Sequence, residues 1–80
     1  MTQTEIFNTI CTQIKKIADN DALELSNDTV IEDIAEWDSL NNVDLEMALE
    51  TELKIGFEVG EFEELTTISV MVTALEKKLS

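Results

Sequence analysis

The stretch Asp38-Ser39-Leu40-Asn41-Asn42-Val43-Asp44-Leu45-Glu46-Met47-Ala48-Leu49-Glu50 decides how the rest of the chain is read. On a helix advancing about 100° per residue, with Leu40 at zero, Val43 falls near −60° and Met47 near −20°. Leu45, Leu49 and Leu53 fall near 140°, 180° and −140°, so a second apolar stripe lies opposite the first at about 100° per residue. A helix on a small core needs only one such stripe. Either this helix is buried on both sides, or Leu40, Val43 and Met47 form a recognition face. Asp44 and Glu50 rim that face with negative charge, and Met47 adds an adaptable side chain. A partner would then present lysine or arginine around an apolar socket.

Working outward, the segment before it carries a long loop. Asp19 to Thr29 is rich in Asp, Asn and Ser with Leu23 and Leu25 between. Asp19-Asn20-Asp21 opens like a calcium loop, but the sixth and twelfth positions hold Glu24 and Val30 rather than Gly and Glu. Thr29 to Glu32 has the spacing of a capping box, and Val30, Ile31 and Ile34 predict a short helical turn before Trp37. Further back, Ile6, Phe7, Ile10, Ile14 and Ile17 form one stripe of a helix from Thr4 to Ala18, capped by Thr2 or Thr4. Cys11 sits at the margin of that stripe and reads as a packing residue.

Downstream, Lys54 to Gly60 alternates Ile55, Phe57 and Val59 but has no partner strand, and is expected to be an apolar loop. Glu61 to Leu65 adds a helical turn or two. Thr66 or Thr67 caps a last helix on which Ile68, Met71, Val72, Leu75 and Leu79 share a face. Lysines near the ends of the first and last helices suit the helix dipole. The expected fold is all-α: a small four-helix bundle of three longer helices and one short one, in a single domain over residues 1–80.

Composition limits what such a bundle can do. The 80 residues hold 5 Lys+Arg against 18 Asp+Glu, a net charge of −13, with no His and a single Cys. The charge disfavours nucleic acid and anionic membranes, which need basic surfaces. Without histidine, His-based triads and His metal sites are excluded, and no metal site is expected. One cysteine fits a reducing compartment, and the polar opening Met1-Thr2-Gln3-Thr4-Glu5 does not read as a signal peptide. A cytoplasmic monomer is expected.

At the head of the decisive helix, Asp38-Ser39 is an ordinary cap, yet a helix N-terminus also stabilises an attached phosphate. No histidine is available to activate Ser39, so it reads as a substrate for modification rather than a catalyst. The alternative is an acidic interaction module or nucleic-acid mimic, which has no need of Ser39 or of the bare Leu40/Val43/Met47 stripe. A hydrolase built on paired carboxylates ranks behind both, because so short a chain offers no obvious enclosed site.

The chain closely resembles the acyl carrier protein family over nearly its whole length. The resemblance is densest in Asp38-Ser39-Leu40 through Val43-Asp44-Leu45 and Met47-Ala48-Leu49-Glu50, and continues in Leu65-Thr66-Thr67-Ile68 and the acidic pair Glu32-Asp33. The resemblance implies 4′-phosphopantetheine on Ser39, donated by coenzyme A through a carrier-protein synthase (a phosphopantetheinyl transferase), with Asp38 supporting that enzyme's magnesium. It implies acyl thioesters on the arm and docking of acyl-loading and acyl-transferring enzymes, through basic patches, on Val43, Asp44, Met47 and Glu50, which Leu40 joins by adjacency and by its place on the helical wheel. The chain itself is then a non-catalytic carrier. Leu49, Phe57, Leu65, Ile68, Met71 and Leu75 are the candidate lining of an acyl pocket, and ordinary core packing accounts for the same residues. Where many fatty-acid carriers have glycine two residues before the modified Asp-Ser pair, this chain has Glu36. Glu46 stands where the common pattern is apolar, and Asn41 where it has Asp. The run Glu36-Trp37-Asp38-Ser39-Leu40 looks more like carriers of specialised pathways, such as polyketide, aminoacyl or surface-glycolipid assembly.

Overall fold

The computed structural model describes residues 1–80. Three α-helices, α1 (Gln3–Ala18), α2 (Ser39–Leu53) and α3 (Ile68–Leu79), are joined by two long connections, each containing one 3₁₀ turn, Ile31–Asp33 and Phe62–Glu64. The short fourth helix of the expected bundle is the Phe62–Glu64 turn. Lys54 to Gly60 forms no strand, and β-type pairing is limited to one isolated bridge between Val30 and Thr67.

Local chemistry sets the helix ends. Thr2, rather than Thr4, caps α1. Its hydroxyl accepts from the Glu5 N–H at 3.1 Å while the Glu5 carboxylate accepts from the Thr2 N–H at 2.8 Å. That backbone bond holds Glu5 below the usual carboxylate range. At the other end Asp19 takes the left-handed conformation (φ 53°), and Lys15 and Lys16 lie in the last turn. Thr67 caps α3 by accepting from the Val70 N–H at 3.2 Å.

One expectation is corrected. The Thr29–Glu32 capping box does not form: the 3₁₀ turn begins after Val30 with no side-chain cap. The Thr29 hydroxyl instead accepts from the Ser26 N–H at 2.9 Å, which removes it from the helix start.

The core gathers Ile6, Ile10, Cys11 and Ile14 of α1, Leu45 and Leu49 of α2, and Ile68, Met71, Val72 and Leu75 of α3, closed by Ile31, Ile34 and Phe62. Helix α1 lies against both α2 and α3. Cys11 is a packing residue there, and burial pushes its thiol up. The long first loop is tied to the start of α3: Ile31 N–H donates to Thr66 C=O at 2.9 Å, Ile68 N–H to Thr29 C=O at 3.1 Å, and Ser69 N–H to Asn27 C=O at 3.0 Å. These bonds hold the loop's end beside the start of α3. No helix is long and apolar enough to cross a membrane.

Candidate functional site

Asp38 stops the loop and starts α2. Its Oδ1 accepts from the Asn41 N–H at 2.9 Å, and its own N–H donates to Asn41 Oδ1 at 3.0 Å. This reciprocal cap uses Asn41 where a Glu or Gln is commoner. The Asn42 N–H closes onto Asp38 C=O at 3.1 Å, so the N–H groups of Ser39 and Leu40 stay outside the hydrogen-bond ladder. Ser39 is the first residue of the helix and is exposed. An exposed hydroxyl beside two free N–H groups at the positive end of a helix suits an esterified phosphate.

A cleft of about 390 Å³ opens at the same point, lined by Trp37, Asp38, Ser39 and Asn42 on one side and by Ile31, Phe62, Glu63 and Leu65 among others on the other. Trp37 is half-buried, and its indole Nε1 stands 3.5 Å from Asn42 Oδ1, at the outer limit of a hydrogen bond. Sequence reasoning did not assemble this cleft. Its walls come from three separate segments joined by loop-to-loop backbone bonds, and no periodicity encodes those. Only the bulk of Trp37 next to Asp38-Ser39 marks the spot in the sequence.

The two stripes of α2 have opposite fates. Leu45 and Leu49 are fully buried, whereas Leu40 is 70%, Val43 48% and Met47 59% exposed. Asp44 is exposed beside them. Glu50 is half-buried and already engaged, its Oε2 accepting from the Phe57 N–H at 2.9 Å. Of the two expected rim carboxylates, Asp44 is the free one.

The remaining residues lie deeper. Leu49, Ile68, Met71 and Leu75 are fully buried in the core, and Phe57 and Leu65 are partly buried against it. Leu65 alone of these six borders either of the two main clefts.

The architecture matches a known structure. The solution NMR structure of a holo acyl carrier protein from Geobacter metallireducens superposes with a TM-score of 0.80 at 30% sequence identity, covering 91% of this chain and 84% of that one. The chain belongs to the acyl carrier protein family. Neither a protein-family model nor a curated relative matches it. Within the carrier fold, Ser39 occupies an open helix head, and the only bare apolar stripe on α2 begins at the next residue.

Proposed function

We propose that this carrier holds acyl intermediates as thioesters on 4′-phosphopantetheine joined to the Oγ of Ser39. The observation that carries the reading is the exposed Ser39 at the start of α2, with two unpaired backbone N–H groups beside it. Those groups fit a phosphodiester, and the adjoining cleft leaves room for the arm's root. The arm supplies a terminal thiol that takes up the acyl group. The protein's part is to present the serine, hold the phosphate and offer partners a face to dock on.

Asp38 serves both fold and modification in this reading. One carboxylate oxygen caps the helix, and the other makes no bond within the chain, leaving it free to approach the transferase's magnesium ion. Leu40, Val43 and Met47 form the docking patch, and Asp44 steers enzymes that carry basic patches toward it. Tethering raises the cargo's effective concentration at a docked enzyme to about the millimolar range. The patch therefore need not bind tightly, and small size suits rapid exchange. The chain is a carrier and not itself an enzyme, working as a monomer in the cytoplasm.

The test is direct. The purified protein is incubated with coenzyme A, magnesium and a broad-specificity phosphopantetheinyl transferase, then weighed by mass spectrometry. One arm is expected on the wild type and none on Ser39→Ala. An unmodified wild type beside a control carrier that is modified would favour the acidic interaction module instead.

A further inference from the structure

The line of α2 that continues from Ser39 carries two carboxylates, with an apolar residue on either side of it. At about 100° per residue, Glu46 and Glu50 fall within about 20° of Ser39 and continue its line along the helix, with Val43 and Leu53 about 40° to either side and Asn42 about 60° away. Glu46 is half-buried, and burial together with the neighbouring carboxylates of Glu50, Glu63 and Glu61 holds its carboxyl above the usual range. A chain leaving Ser39 along this line therefore meets carboxylates on both sides of its path.

Behind that line stand two aromatic rings. Phe62 is 2% exposed, and its ring meets Phe57 edge-on with centroids 5.0 Å apart. The segment carrying Phe57 is fastened by two side chains, Glu50 and Lys78. Glu50 holds its N–H, Lys78 Nζ sits 5.1 Å from the Phe57 ring centroid and bonds Gly56 C=O at 3.0 Å, and Lys78 pairs with Glu61 at 2.9 Å. Neither main cleft reaches Leu49, Phe57, Ile68, Met71 or Leu75. An alkyl chain entering here would have to displace two aromatic rings, break these contacts and strip water from Glu46. Close-packed interiors resist such insertion.

We propose that this carrier does not enclose its cargo: Glu46 and the Phe57–Phe62 pair keep the acyl group outside the core, so that the groups it carries are short or polar rather than long alkyl chains. The proposal rests on the carrier reading and deepens it by naming the cargo class.

It is tested on protein loaded with acetyl, octanoyl or dodecanoyl groups from the corresponding acyl-coenzyme A by a broad-specificity transferase. Mass spectrometry first verifies one acyl-arm per chain. Failure at that step refutes the carrier reading, whereas the outcomes that follow bear only on the cargo. The thioester's cleavage by hydroxylamine is then timed. An enclosed chain would gain about a fourfold factor per buried methylene, giving steep protection with length. The expected result is cleavage rates within about twofold across the series, with no rise in Tm as the chain lengthens. Octanoyl or dodecanoyl thioesters protected about tenfold or more over acetyl would overturn the proposal. Phe62→Ala, with Glu46→Leu as a second variant that leaves the core intact, is expected to introduce length-dependent protection. Rates that stay flat in both variants would overturn the assignment of these residues as the barrier.

Discussion

Helices α1 and α2 are nearly equal in length, 16 and 15 residues, but they use their apolar side chains differently. Helix α1 concentrates Ile6, Ile10, Cys11 and Ile14 on one buried face and turns Asn8 and Thr12 outward. Helix α2 divides its apolar residues between two faces, burying Leu45 and Leu49 while leaving Leu40, Val43 and Met47 in water. Folding explains the first helix completely. It explains only half of the second, and the unexplained half begins beside Ser39. In a protein with so little core, three large apolar side chains kept out of it mark a surface held for contact with something else.

The sharpest way to break this comparison is to truncate one leucine from each face of α2. Leu49→Ala removes a fully buried side chain and is expected to cost about 2–5 kcal/mol, enough to unfold much of so small a domain. Leu40→Ala is expected to change stability by no more than about 0.5 kcal/mol while slowing arm transfer to Ser39. Urea unfolding and a transferase time course measure the two. Equal destabilisation by both variants would mean that the outer stripe belongs to the fold.

The head of the helix can be divided in the same way. Asp38→Ala removes the acceptor for the Asn41 N–H and is expected to cost about 1 kcal/mol. Asp38→Asn keeps an acceptor oxygen and loses the charge, so its melting should stay near wild type while arm transfer falls. If Asp38→Asn is modified at the wild-type rate, the carboxylate acts in the cap alone.

A smaller effect is expected just before the cap. Glu36 has φ 63°, in the left-handed region that glycine adopts without steric cost. This is the position where many carriers of the resembled family hold glycine, so the backbone shape survives the change of residue and the chain bears the strain. Glu36→Gly is expected to raise stability by about 0.5–1 kcal/mol, the relief of strain exceeding the entropy that glycine loses on folding. A lower urea midpoint in this variant would show that the Glu36 side chain has a stabilising role of its own.

These residues also show how far the sequence could be read. The three helices, the last helix's cap at Thr66 or Thr67 and the two faces of α2 were legible because they depend on spacing within one segment. What was not legible depends on meetings between segments. Thr29 fits a capping box by spacing, but its hydroxyl serves Ser26 in a loop held by the Ile31 N–H on Thr66 C=O and the Ile68 N–H on Thr29 C=O. Glu50 reads as a free rim charge until the Phe57 N–H folds back onto it. The cleft at Ser39 needs Ile31, Trp37 and Phe62 from three stretches of chain, and a left-handed Glu36 has no signal in residue type at all.

The smallest effect separates two carboxylates near the same groove. Glu61 is held below the usual range, first by the Glu58 N–H at 2.9 Å and then by Lys78. Its contribution is therefore present above the ordinary carboxylate value and lost as pH falls through the lowered one. Glu46 has the opposite sign. Partial burial and three neighbouring acids raise its carboxyl, so the folded state favours the protonated form. Stability from this group is full below the ordinary value, where Glu46 is neutral folded or unfolded, and declines as pH rises through the raised one. At neutral pH a charged Glu46 therefore opposes the fold, and α2 tolerates it on the side that leads away from Ser39. Glu46→Gln is expected to melt higher than wild type at neutral pH, with the advantage closing below about pH 4. Glu61→Gln is expected to melt lower at neutral pH and to converge with wild type on acidification. Thermal melts of the three proteins across that range decide it: a Glu46→Gln variant that melts lower than wild type at neutral pH would show that the carboxylate has a stabilising partner.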